Sequence, residues 1–265
     1  MLPFWLSIGA LSLVQAALVA APRAADLQLP TAVRTRWWAL LPPLSIVVVV
    51  SAIALDSASA RVLTYVALVG VPPLAALALA TIVRGARPPL ALLALPLFAL
   101  AWAAQGSLAG ETAALALSAL ACVALGWLLA CVVPGRWLAL GIYAMAAIDA
   151  WLIGADLLQG PNAILNAASP LGDLPRLQLA HFGSAVMGFG DLFVAATLGA
   201  LLARDRQLQL TGAWLTAALC VGFDFLFFAL DQLPATVPVA LALAVLEIGR
   251  REQLRAALRP APRRS

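Results

Sequence analysis

The sequence predicts an all-α polytopic membrane protein, a single membrane domain built from nine transmembrane helices. Three observations lead there. Of its 265 residues, 64% are hydrophobic and 11% charged, with a mean hydropathy of +1.00, whereas soluble domains carry roughly 25% charged residues. The apolar residues come in blocks of about 20, the length that crosses ~30 Å of hydrocarbon as a helix. The arginines fall almost entirely on one side of an alternating path through those blocks. No water-soluble domain of useful size fits between them.

The first block, 3–22, opens with "MLPFWLSIGA" and has no basic residue ahead of it, since Arg23 follows the block. A secretory signal needs a positive n-region, so this block reads as a retained span. Blocks at 37–55, 62–83, 88–105 and 112–133 complete a five-helix N-terminal scaffold, 1–133. Blocks at 137–158, 183–203, 209–230 and 233–249 form spans six to nine, the candidate catalytic helices of 137–250. The longest connector, 159–182, contains "QGPNAILNAASPLGDLPR", whose Gly, Pro and Asn break helices. The remainder, 251–265, is a basic tail that reads as a cytoplasmic stop-transfer anchor.

Orientation follows from the arginines. With the N-terminus outside and nine alternating spans, the inner side receives Arg23, Arg34, Arg36, Arg84, Arg87, Arg136, Arg204, Arg206 and the tail arginines from Arg250 onward. Only Arg61 and Arg176 lie outside, a split of 14 to 2. One missed or extra span would scramble that asymmetry, so the expectation is N-terminus out and C-terminus in. The net charge of +4 is thereby explained by topology and does not suggest nucleic acid. The partner this topology implies is the lipid bilayer. The expected location is a bacterial or archaeal cytoplasmic membrane.

The three cysteines, Cys122, Cys131 and Cys220, all sit inside apolar blocks, and His181 is the lone histidine. No CxxC or Cys/His spacing exists, so no zinc, redox centre or other cofactor is expected.

Twelve acids remain. Most lie at span ends or in loops, but Asp149, Asp156, Asp191 and Asp224 fall deeper, and a charged carboxylate at bilayer depth costs at least ~2.5 kcal/mol. Such acids face a bundle interior or a water cavity and usually mark function. Asp149 lies 12 residues into the sixth block and Asp191 lies 12 residues from the inner end of the seventh. At 1.5 Å per residue, both sit ~18 Å from the inner boundary, so adjacent antiparallel helices would bring them face to face. Asp224 and Asp156 lie nearer the outer side. Two close carboxylates titrate as a unit and suit peptide hydrolysis: one takes a proton from water, the other gives one to the scissile carbonyl. Gly188 and Gly190, flanking Phe189 beside Asp191, lack a Cβ and admit close approach of backbone or substrate. Small-residue packing is the plainer explanation of those glycines taken alone.

Gly188-Phe189-Gly190-Asp191 matches the GxGD signature of intramembrane aspartyl proteases. With nine spans, an aspartate in the sixth and the GxGD aspartate in the seventh, the chain resembles the presenilin and signal peptide peptidase family. That family carries Pro-Ala-Leu at the start of its ninth span. Here "QLPATVPVAL" supplies Pro234 and Ala235, with Thr236 in place of leucine. The inferred orientation resembles signal peptide peptidase rather than presenilin. The sixth span departs from the family's Tyr-Asp, reading Ile148-Asp149, with Tyr143 nearly two turns earlier. The resemblance implies an aspartic endopeptidase acting on transmembrane peptide substrates, with Asp149 and Asp191 catalytic, and Gly188, Phe189, Gly190, Pro234, Ala235 and Thr236 supporting or contacting substrate. Prepilin peptidases share a GxGD and remain an alternative, although they follow the aspartate with lysine where this chain has Leu192. A non-enzymatic carrier or scaffold using the intramembrane acids is the other alternative; no inverted-repeat symmetry appears in the hydropathy.

Overall fold

The computed structural model describes residues 2–25, 30 and 33–257, with side chains described up to 249. The end of the basic tail, from 258 on, lies outside the described residues. The described residues are mostly helical, and among them five helices are long and apolar enough to cross a membrane: Arg36–Leu55, Ala58–Ile82, Leu108–Val132, Gly135–Gly154 and Arg206–Phe228. Four shorter apolar helices accompany them, at Phe4–Ala20, Pro88–Ala103, Phe189–Leu202 and Thr236–Gly249.

In chain order the elements are α1 (Phe4–Ala20), α2 (Leu41–Leu55, led by a 3-10 turn), α3 (Ala58–Leu77, ending in a π turn to Ile82), α4 (Ala94–Ala103), α5 (Leu108–Val132), α6 (Gly135–Gly154), α7 (Gln159–Ala167), β1 (Leu179–Phe182), β2 (Ala185–Gly188), α8 (Phe189–Leu202), α9 (Arg206–Asp224, ending in a 3-10 turn) and α10 (Thr236–Ala257). Helix starts carry ordinary signals. Ser107 caps α5 by accepting from the Gly110 amide at 3.2 Å, and Asp205 caps α9 by accepting from Leu208 at 3.1 Å.

The structure corrects the seventh block. Residues 183–188 are not helical: Leu179–Phe182 and Ala185–Gly188 pair antiparallel, with His181 opposite Val186 and Leu179 opposite Gly188. The cause is local. Gly183 sits at φ +62° and with Ser184 makes a two-residue hairpin turn, which needs positive φ at its first central position. The tip is pinned on both sides, the Gly183 amide donating to Glu111 Oε2 at 2.7 Å and the Ser184 amide to Ser7 Oγ at 3.1 Å. A side chain at 183 would collide with Ser7 Oγ. The connector 159–182 also differs from expectation, because Gln159–Ala167 is helical, with Pro161 in the first turn where its missing N–H costs no helical bond. Asp156 lies beyond the end of α6, which stops at Gly154, and is exposed in the following turn with φ +57°.

Helix α8 is the centre of the bundle. Nine of its residues are buried, on every side, as befits a helix packed all round. The glycines that let helices approach it are Gly126 and Gly199. A Cβ on Gly126 would stand 2.8 Å from the Thr197 amide of α8, and one on Gly199 would stand 2.6 Å from the Val19 carbonyl of α1. At one end of the bundle, Arg23 N donates to Ile82 O and Arg84 N to Ala21 O, each at 3.0 Å, tying the end of α1 to the end of α3. The hairpin tip and the starts of α1 and α5 lie at the other end. Helix α1 packs mainly on α8 and α9.

Candidate active site

Asp191 is the third residue of α8 and Asp149 lies 14 residues after the start of α6. The start of α6 and the end of α8 share one end of the bundle, where Leu201 packs beside Gly135. Measured from that end at 1.5 Å per residue, Asp149 and Asp191 stand about 21 and 16 Å deep. The two side chains line one cavity, close enough for their carboxyl groups to interact electrostatically.

Two helices begin at this level. Hairpin strand β2 runs straight into α8, so Asp191 sits in the first turn, and its Oδ2 accepts from the Gly188 amide at 3.0 Å. A carboxylate at the third helical position reaching back to the residue before the helix is half of a capping box. That bond alone would be a structural role, but it engages one oxygen only. Helix α10 also begins at the dyad. Its first residue, Thr236, donates Oγ1–H to Asp149 Oδ2 at 2.7 Å, and the Thr236 amide faces the same carboxyl. Thr236 therefore supplies the hydrogen bond that holds Asp149. Pro234 and Ala235 form the non-helical lead into α10, a backbone conformation tolerated at membrane depth where it borders a cavity or packed protein. Ala235 does line the cavity.

Sequence reading missed Gln15. This α1 side chain is 1% exposed, yet it donates Nε2–H to both the Asp191 carbonyl (3.3 Å) and the Ala235 carbonyl (3.1 Å), stapling the two helix starts together. Its Oε1 accepts from Cys220 Sγ at 3.3 Å. A polar residue in an apolar span was the available signal. Phe189 lines the cavity wall, and its carbonyl accepts from Cys122 Sγ at 3.6 Å.

The two glycines separate. A Cβ at 188 would come within 3.0 Å of Asp191 Oδ2, whereas one at 190 would meet nothing within 4 Å and would project into the cavity region. Asp224 borders the same cavity, with Oδ2 accepting from Ser12 Oγ at 2.8 Å. Tyr143 donates to Glu247 Oε2 at 3.2 Å, joining α6 to α10 beyond the dyad. Among the described residues, no group of three His, Cys, Asp or Glu is arranged to hold a metal.

The cavity measures about 1290 Å³, beyond the roughly 300–1,000 Å³ of small-molecule pockets. Its walls are largely apolar, with α2 and α3 contributing residues such as Val49, Val50, Leu63 and Val66. Such a space suits an apolar polymer segment with two carboxyl groups at one point along it. No family model matches the chain, and neither a curated protein nor a solved structure is significantly similar to it.

Proposed function

We propose that the chain is an intramembrane aspartyl protease that hydrolyses a peptide bond within a transmembrane segment or a remnant signal peptide. The observation that carries this reading is that Asp149 and Asp191 meet in one large apolar cavity where α8 and α10 begin. The ionised carboxyl takes a proton from a water between the pair as the water oxygen attacks the scissile carbonyl carbon. The neutral carboxyl protonates the carbonyl oxygen. Collapse of the resulting gem-diol passes a proton to the amide nitrogen and breaks the C–N bond. A helical substrate shields its carbonyls, so it must unwind locally, and helix-breaking residues in the target span should speed cleavage.

In this reading the nine apolar helices all cross the membrane, with the N-terminus outside and the C-terminus cytoplasmic, in a bacterial or archaeal cytoplasmic membrane. The 14-to-2 arginine split supports that orientation. A reporter fused after Ser265 should then be cytoplasmic and one inserted at Asn166 external; both on one side would defeat the nine-span arrangement. Resemblance to signal peptide peptidase in orientation favours substrates whose N-terminus is cytoplasmic.

The test of the activity is purified protein in detergent with a fluorogenic transmembrane peptide. Asp149→Asn and Asp191→Asn should each lower cleavage by about 10³-fold or more, and the double variant should be no worse, as for groups acting as a unit. Asp224→Asn should leave a measurable rate. Full activity in the Asp149 variant would remove it from the site.

A further inference from the structure

A second, smaller cavity of about 230 Å³ adjoins the first, lined by Asn166, Arg176, Leu179, His181 and Val186. Three of these, Asn166, Leu179 and Val186, also line the large cavity, so the two spaces share a wall. That wall is one face of the hairpin. Strand alternation and the observed register put Leu179, His181, Val186 and Gly188 on this partly exposed face, while Ala180, Ala185 and Met187 turn to the core. The face leads from Gly188, whose amide holds Asp191, to His181 opposite Val186. At ~3.3 Å per residue, Val186 lies only ~7 Å along the strand from Gly188.

The small cavity carries a cation with spare donors. Arg176 spends one N–H on the Asn166 carbonyl at 2.8 Å. The sole ion pair among the described residues is His181 with Glu111, at 3.5 Å, so no carboxylate meets the Arg176 guanidinium. Glu111 is not among the residues lining this space, and it is engaged by His181 and the Gly183 amide. Arg176 is also one of only two arginines that the topology leaves outside. A guanidinium presents its donors in a planar fork that matches a carboxylate.

We infer that this cavity binds a carboxylate on the outward end of the substrate, a few residues beyond the scissile bond. The inference rests on the protease reading and deepens it. A segment with its N-terminus in the cytoplasm brings its C-terminal end to this side, so a fragment already cut outside the membrane would offer its free α-carboxylate to Arg176. An acidic side chain near that position carries the same chemistry. A segment threaded the opposite way would bring an amine and be repelled.

The experiment uses the full-length Asp191→Asn protein in neutral-lipid nanodiscs and measures binding of three fluorescent transmembrane peptides. One ends in a free carboxylate, one in a carboxamide, and one in a carboxamide with aspartate at its last position. The free acid should bind about tenfold more tightly than the neutral amide, the size of one charge-assisted hydrogen bond. The Arg176→Gln substitution should reduce that ratio to near one, and Arg176→Lys should keep most of it. Tight binding by the aspartate peptide as well would support the site and place acidic side chains among its ligands. Equal binding of acid and amide overturns the inference without needing any Arg176 variant. So does an Arg176 effect seen only when anionic lipid is added, which would assign the arginine to a headgroup. Mass spectrometry of the same peptides with unsubstituted protein separates the two proposals. A preserved acid preference without any cleavage removes the protease alone, and cleavage with no acid preference removes the carboxylate site alone.

Discussion

Two buried glutamines, Gln15 on α1 and Gln209 on α9, stand at different levels of the bundle. They illustrate different uses of a polar side chain inside an apolar protein. Gln209 is 0% exposed and saturated. Its Oε1 accepts from Arg84 (2.8 Å) and Arg206 (2.9 Å), and its Nε2 donates to the Pro22 and Gly199 carbonyls at 2.9 and 3.2 Å. It lines neither of the two cavities described above and ties the ends of α1, α3 and α8 to the start of α9. Partial desolvation and, second, the neighbouring Arg206 hold the Arg84 guanidinium below its ordinary range. Gln15 is just as buried, but its partners are the carbonyls of Asp191 and Ala235, and it lines the large cavity. Burial of a polar side chain alone therefore does not single out a candidate site; under the protease reading, placement at the wall of the large cavity beside Asp191 does.

The largest effect that could break this comparison comes from Gln15→Leu. It frees the starts of α8 and α10 to drift apart, and a misplacement near 1 Å can cost about 100-fold in rate. The expected result is a kcat roughly 100-fold lower with the protein still folded and inserted. Gln209→Leu should do the reverse. It strands two buried carbonyls, each worth about 1–3 kcal/mol, so the melting temperature in detergent should fall by several degrees while turnover per folded molecule stays within about twofold. If Gln15→Leu melts early and turns over normally, the two glutamines play the same structural part.

Next in size is Thr236→Val, which keeps the shape and deletes the hydroxyl that holds Asp149 Oδ2. A lost hydrogen bond to a charged group of about 1.5 kcal/mol corresponds to about a tenfold loss. It should appear in kcat rather than KM, with Thr236→Ser restoring most of the rate. A change in KM alone would mean that Thr236 touches substrate and does not position the aspartate.

The parts of this arrangement that sequence could reveal are those with a period or a conspicuous charge. Apolar blocks marked the helices, and Asp149 and Asp191 stood out because carboxylates are costly at depth; counting residues placed them at nearly one level. The β1–β2 hairpin was hidden because "GSAVMG" runs without a charge into the apolar helix that follows, so block hydropathy absorbs its second strand and leaves its first in the connector. Gln15 and Gln209 were invisible for another reason. Each is a lone uncharged residue whose partners lie 176 to 220 positions away for Gln15 and 125 to 187 away for much of the Gln209 set. No local pattern encodes such pairings. The motif glycines were legible as a motif, but not as two residues with different duties.

That difference gives the smallest and sharpest test. At Gly188 the backbone lies at φ −67° and ψ 147°, which alanine adopts without strain. Its new methyl would stand 3.0 Å from Asp191 Oδ2 and force the carboxylate to shift by a few tenths of an ångström. Gly190 is the second residue of α8, and a methyl there meets no protein atom within 4 Å. Alanine exceeds glycine in helix propensity by up to about 1 kcal/mol, so Gly190→Ala should leave the fold intact or slightly firmer. Its methyl would occupy substrate space, raising KM a few-fold at unchanged kcat. Gly188→Ala should instead lower kcat a few-fold at unchanged KM, because it displaces the reacting carboxylate and not the substrate. Measuring both constants for both variants on one peptide decides the matter: the same split in each would reduce the motif to helix packing, the duty that Gly126 and Gly199 already perform.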